Sequence, residues 1–216
     1  MGIKPLKCTI VSGAPVKDYE FLKNNIDLKS FIIAADSGYV TCRNAGIPVN
    51  LIIGDFDSLE EELPTDTEVV KLNTVKDDTD TEHCVMECIR RGYKDFLLLG
   101  SVGGRTDHTF ANIAILSFLS EYNYHGVARN NGEEIQILKE GTYNMDGKKG
   151  LTFSVFPYGC ESVNVTYKGA KYPLDSYTLT YNVSRGISNV FSDDNAEIVV
   201  NRGRAILLTY YHGNIE

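Results

Sequence analysis

Five short apolar runs, Cys8 to Val11, Phe31 to Ala35, Leu51 to Ile53, Val69 to Leu72 and Phe96 to Leu99, punctuate the chain before residue 100, and each is bounded by Gly, Pro or Asp. They are too short for buried helices and read as strands. Helical patterns lie between and after them. Thr79-Asp80-Thr81-Glu82 has capping-box spacing, and Cys84, Val85, Cys88 and Ile89 then form a stripe that stops before Gly92. A second helix is expected from about Asp107 to Tyr122, burying Ile113, Leu116 and Leu119. Strands that are apolar throughout, alternating with helices, imply an α/β fold: a parallel sheet flanked by helices and covered on both faces.

Beyond about Asn131 the helical period disappears. Glu134 to Leu138, Thr152 to Phe156, Ser162 to Tyr167, Glu197 to Asn201 and Ala205 to Tyr210 are β-rich runs separated by Gly, Asn and Pro turns, and Asn201-Arg202-Gly203-Arg204 has the look of a hairpin turn. The expectation is a smaller all-β sandwich domain at 132–216 following an α/β domain at 1–131, joined around Arg129 to Gly132.

Composition narrows the partners. With 21 basic and 29 acidic residues the chain carries −8, which repels polyanions and argues against nucleic-acid binding. No apolar run approaches the roughly 20 residues of a membrane span, and no long apolar core opens the chain, so a cytoplasmic protein with no membrane partner is expected. Five scattered cysteines suit reduced thiols better than a disulfide framework. Cys84 and Cys88 beside His83 lack a second ligand pair and read as buried helix residues rather than a metal site.

The polar residues fall in a pattern. Asp36-Ser37-Gly38 follows the second strand, Gly54-Asp55-Phe56-Asp57-Ser58 the third, Lys76-Asp77-Asp78-Thr79-Asp80 comes soon after the fourth, and Gly103-Gly104-Arg105-Thr106-Asp107-His108 follows the fifth. In an open α/β sheet these strand ends share one edge, where ligands bind. So many carboxylates repel one another unless a hard divalent cation takes their oxygens, and Mg²⁺ typically bridges one or two of them to substrate phosphates. Arg105 on a Gly-rich turn offers a planar fork for phosphate, and Lys76 a point charge. Singly, Asp36, Asp78 and Asp80 also suit turns or caps, Asp107 suits a helix start, and His108 suits a structural hydrogen bond better than a catalytic base. Their convergence on one edge is what favours a site. Neither a P-loop nor a dinucleotide-binding glycine motif is present.

These segments, together with Gly169-Ala170-Lys171-Tyr172-Pro173-Leu174 and Gly186-Ile187-Ser188-Asn189, resemble those of the thiamine pyrophosphokinase family in order and spacing over nearly the whole chain. The resemblance implies an ATP-binding catalytic α/β domain and a thiamine-binding β-sandwich. It implies that Asp55, Asp57 and Asp80 hold Mg²⁺ and the reacting phosphates, that Asp36, Lys76, Thr79, Arg105 and Asp107 line the ATP site, and that Tyr172, Ser188 and Asn189 help bind thiamine. It further implies a homodimer with sites shared between subunits. The chain departs from the family at Val190, where an acidic residue is common, at Val49-Asn50, and in having no Trp to stack on thiamine. The residues alone leave room for a phosphohydrolase with Asp55 as nucleophile, a glycosyltransferase, or a non-catalytic Mg-nucleotide sensor.

Overall fold

The computed structural model describes residues 6–16, 18–57, 63–73 and 77–211. The chain forms two compact units, Met1–Asn131 and Gly132–Glu216.

Unit 1 runs β1 (Lys7–Val11), α1 (Tyr19–Asn25), β2 (Phe31–Ala35), α2 (Gly38–Asn44), β3 (Leu51–Gly54), β4 (Glu68–Lys71), α3 (Asp80–Arg90), β5 (Asp95–Leu99), α4 (Thr106–Glu121) and β6 (His125–Asn130). Its strands pair in parallel in the order β6-β5-β1-β2-β3-β4. Because successive strand residues face opposite sides, Val11, Ile32, Ala34, Ile52, Leu97 and Leu99 pack with Leu22, Tyr39 and Cys42 of α1 and α2. The alternate residues Ile10, Ile33, Leu51, Ile53 and Leu98 are equally buried, and on that side the Cys8 thiol hydrogen-bonds Cys88 of α3. This contact and the surrounding burial raise the Cys8 pKa far above the ordinary thiol value, while burial alone pushes Cys42 up to about 12. Cys84 and Cys88 are thus buried helix residues, and none of the five cysteines forms a disulfide. Gly38 lets α2 start hard against β1: a Cβ there would sit 2.1 Å from the Val11 carbonyl oxygen.

Two features of unit 1 differ from the expectation. Coverage fails at β4, where Glu68, Val70 and Lys71 are exposed; charged residues flank the valines of this terminal strand. The joint expected around Arg129 to Gly132 contains the division between the units at Asn131/Gly132, but its first two residues end β6, a strand whose His, Gly, Arg and Asn content disguises it in the sequence.

Unit 2 is a sandwich of two antiparallel sheets. One contains β7 (Glu133–Leu138), β9 (Thr152–Pro157), β12 (Asn189–Val190) and β14 (Ala205–Tyr210), in the order β12-β9-β14-β7. The other contains β8 (Gly141–Asn144), β10 (Ser162–Lys168), β11 (Leu174–Thr180) and β13 (Glu197–Arg202), in the order β11-β10-β13-β8. Their inner faces supply one core that includes Phe153, Val155, Val163, Val165, Tyr167, Leu179, Ile198, Val200 and Leu207. Phe153 is its hinge-pin, stacked on Phe191 at 4.1 Å and met edge-on by Tyr167 at 5.3 Å. The turn at Asn201-Arg202-Gly203-Arg204 is a corner and not a hairpin, since β13 and β14 pair within different sheets. Turn residues mark where a chain reverses; they do not specify the strand it pairs with.

Candidate active site

In unit 1 the strand order reverses between β1 and β5, the switch point at which an open α/β sheet splays its loops apart. A cleft of about 710 Å³ opens there. Its walls are Ser12 to Pro15 after β1, Asp36 and Ser37 after β2, Asp78 to Thr81 around the start of α3, and Gly103, Gly104, Arg105 and His108 after β5. The Ser12 hydroxyl pairs with that of Thr81 at 2.9 Å, and Asn112 donates to the Ser101 carbonyl at 2.5 Å, so buried bonds tie the loops to the helices.

Asp36 sits at the centre of this electrostatics. Burial raises its pKa above the ordinary carboxylate value, opposed by a backbone hydrogen bond at Ser37 and reinforced by Asp80, Asp55 and Asp57. Its Oδ1 is buried without a hydrogen-bond partner. A bare carboxylate oxygen within electrostatic reach of three other carboxylates is a donor that a hard divalent cation can satisfy. Asp55, Asp57 and Asp80 do not, however, form a ready three-ligand cage: among the described residues no three His, Cys, Asp or Glu side chains converge for a metal. Asp55 and Asp57 are not among the residues lining the cleft, and Asp55 Oδ1 accepts from the Asp57 amide at 3.3 Å.

Backbone strain marks several of the segments singled out by the sequence. Of the five described non-glycine residues with positive φ, three are Asp36 at 46°, Phe56 at 58° and Ser188 at 56°. Such conformations persist where the surroundings over-determine them, commonly at functional sites.

Arg105 and Asp107 meet each other: Nη2 lies 2.6 Å from Oδ2 and Nε 3.1 Å from Oδ1. This fork, with the amide of His108, holds the Asp107 pKa at about 2. Arg105 lines the cleft and Asp107 does not. Thr79 caps α3, its hydroxyl accepting from the Glu82 amide at 3.2 Å, as the capping-box spacing predicts. Asp78 pairs with His83 at 2.9 Å. His108, expected as a structural hydrogen-bonder, is exposed on the cleft wall. Lys76 and Ser58 lie outside the described residues.

Unit 2 holds a second pocket of about 290 Å³, walled by Tyr167, Tyr172, Leu174, Tyr177, Leu179, Arg185, Gly186, Ile187 and Asn189. Of the expected contacts, Tyr172 and Asn189 line it, while Ser188 does not and donates its amide to Ser154 Oγ at 3.1 Å. Asn189 is only 5% exposed and its amide is already committed to the backbone of Tyr172 and Val190. It shapes the wall, with its oxygen and one of its N–H groups engaged. Gly186 has φ of 93° and a Cβ there would lie 2.5 Å from the Val155 carbonyl oxygen, so only glycine passes.

Sequence reasoning missed the Ser12-Gly13-Ala14-Pro15 wall, although a Gly/Pro cluster after the first strand obeys the same edge rule that found the others. Tyr167, Tyr177 and Arg185 carried no signal beyond their positions in or between strands.

Two domain families match the chain: thiamin pyrophosphokinase, catalytic domain, over residues 22–125, and thiamin pyrophosphokinase, vitamin B1 binding domain, over residues 134–205. The chain is 28% identical over 193 residues to the thiamine pyrophosphokinase of Bacillus subtilis (strain 168), covering 83% of this chain and 87% of that protein. A crystal structure of thiamine pyrophosphokinase from Bacillus subtilis matches with a TM-score of 0.85 at 25% identity, covering 95% of this chain and 99% of that one. Yeast thiamin pyrophosphokinase matches in fold with a TM-score of 0.78 at 17% identity, covering 97% of this chain and 87% of that one.

Proposed function

The chain belongs to the thiamine pyrophosphokinase family, and from that membership we infer the one reaction its two clefts serve: transfer of a pyrophosphoryl group from ATP to the hydroxyl of thiamine, giving thiamine diphosphate and AMP. The hydroxyl oxygen bonds to the β-phosphorus, the bond from that phosphorus to the α–β bridging oxygen breaks, and AMP carries the bridging oxygen away. The hydroxyl proton passes to Asp80 or Asp57. Reactions of this kind need positioning and charge neutralisation more than covalent help.

In this reading Asp36, Thr79, Arg105 and Asp107, with Lys76, form the ATP site. Asp55, Asp57 and Asp80 would hold Mg²⁺ and the reacting phosphates, and a bound Mg²⁺ would neutralise charge on the phosphate oxygens. The observation that carries this is the bare, buried Asp36 Oδ1 at the switch-point cleft, within electrostatic reach of Asp55, Asp57 and Asp80. Tyr172, Ser188 and Asn189 shape the thiamine site on unit 2, a cation's thiazolium ring being suited to a tyrosine face.

The enzyme is proposed to act as a homodimer in the cytoplasm, with ATP held on unit 1 of one protomer and thiamine on unit 2 of the other. No helix among the described residues is long and apolar enough to cross a membrane. Incubating the protein with Mg²⁺, ATP and thiamine and identifying the nucleotide product tests the reaction. AMP in step with thiamine diphosphate is expected; ADP, or no thiamine-dependent product, overturns it.

A further inference from the structure

Tyr167 belongs to none of the motifs above, yet it walls the unit 2 pocket. Its side chain is 2% exposed, and its ring is pinned edge-on against Phe153. Its hydroxyl is sealed from water and has no hydrogen-bond partner. Burial raises the phenol's pKa, so the group stays an O–H that can donate as well as accept. Phenylalanine would fill the same space without leaving a buried polar atom unpaired. Such a hydroxyl can take its partner from something that enters the pocket.

The other polar groups narrow what that is. Backbone bonds take the Asn189 oxygen and one of its N–H groups, and Arg185, whose guanidinium donates to the Tyr177 hydroxyl, is the charged side chain in the wall. A guanidinium repels a thiazolium cation, and the rest of the wall is Leu174, Leu179, Ile187 and aromatic rings. Such a lining suits a flat, neutral ring with nitrogen acceptors on its edge.

We propose that Tyr167 is a specificity-determining residue whose hydroxyl pairs with the nitrogen-bearing edge of thiamine's neutral aminopyrimidine ring, seated in this pocket. This rests on the thiamine pyrophosphokinase reading above. The charged thiazolium and its hydroxyethyl arm then lie outside the Arg185 neighbourhood.

Tyr167→Phe removes one oxygen and tests this directly. Thiamine binding to wild type and variant is measured by calorimetry, alongside ATP binding and the melting temperature of the free protein. The expected result is about tenfold weaker thiamine binding, the worth of one hydrogen bond, with ATP binding unchanged and a melting temperature equal to or above wild type. An analogue carrying phenyl in place of aminopyrimidine should bind both proteins equally. Unchanged thiamine affinity, or equal losses for thiamine and the phenyl analogue, would overturn the role of Tyr167 while leaving the reaction intact. Wild-type protein that neither binds nor pyrophosphorylates thiamine would instead overturn the reading on which the role rests.

Discussion

The side-chain amide of Asn189 grips the backbone of Tyr172 at both ends, Oδ1 accepting the Tyr172 amide at 3.0 Å and Nδ2 donating to the Tyr172 carbonyl at 2.7 Å. The loop carrying Tyr172 is thereby fixed to β12, while its ring stays 58% exposed with Lys171 Nζ 5.4 Å from the centroid. Asn189→Asp keeps shape and acceptor but aims a carboxylate oxygen at that carbonyl. It should cost about 1–3 kcal/mol of stability, as for a buried group left unpaired. The KM for thiamine should rise about tenfold or more with that for ATP unchanged. Steady-state kinetics with each substrate varied in turn, and urea denaturation, measure both.

Asp36 should make the free enzyme less stable as pH rises. Its folded-state pKa lies above the unfolded value, so the folded state binds more protons between the two. The stability this contributes is complete below the unfolded pKa and lost as pH climbs through the raised folded one. Asp36→Asn should therefore melt at a higher temperature than wild type at neutral pH, with the gap closing in acid, and should turn over at least about 10²-fold more slowly. Added Mg²⁺ and ATP should raise the melting temperature of wild type more than that of the variant. A variant no more stable than wild type at neutral pH would refute this account of Asp36.

Arg105→Lys should slow turnover by about 10²-fold although charge is kept, because a planar fork grips two phosphate oxygens and an ammonium cannot. Its pair with Asp107 is solvent-exposed, so the melting temperature should not move. Near-normal kinetics would reduce Arg105 to a surface charge.

Mixing two inactive variants, Asp80→Asn and Tyr172→Ala, should restore part of the activity if subunits share sites. Exchange places both lesions in one site of each heterodimer and leaves the other intact. Tyr172 is exposed, so the truncation spares the core. No recovery, with heterodimers verified by differential tags, would place each site within one chain.

Much of this was legible in the residues themselves. Phe31 to Ala35 reads as a strand because five apolar residues between polar ones can only be buried extended, and it is β2 to the residue. The α4 residues Ile113, Leu116 and Leu119 are buried as their spacing requires. By contrast, α2 opens on Gly38 and contains Thr41 and Cys42, weak helix formers that tertiary packing overrides. In β11 only Leu179 is fully buried, so its pattern is too polar to announce a strand. The acidic edge was found because adjacency to strand ends is a one-dimensional signal. The empty valence of the Tyr167 hydroxyl was not, since partnerlessness is a property of three-dimensional surroundings, and a tyrosine in a strand looks the same with or without a bond.

The sealed thiols give the molecule a gauge of its own integrity. Cys8, Cys42, Cys84 and Cys88 are buried, while Cys160 alone is partly open to solvent. The four buried ones all lie in unit 1 and Cys160 lies in unit 2. A thiol-reactive dye should thus mark about one site per native chain and gain the others only as unit 1 opens, so that label count against time reads the opening of that unit without any engineered probe.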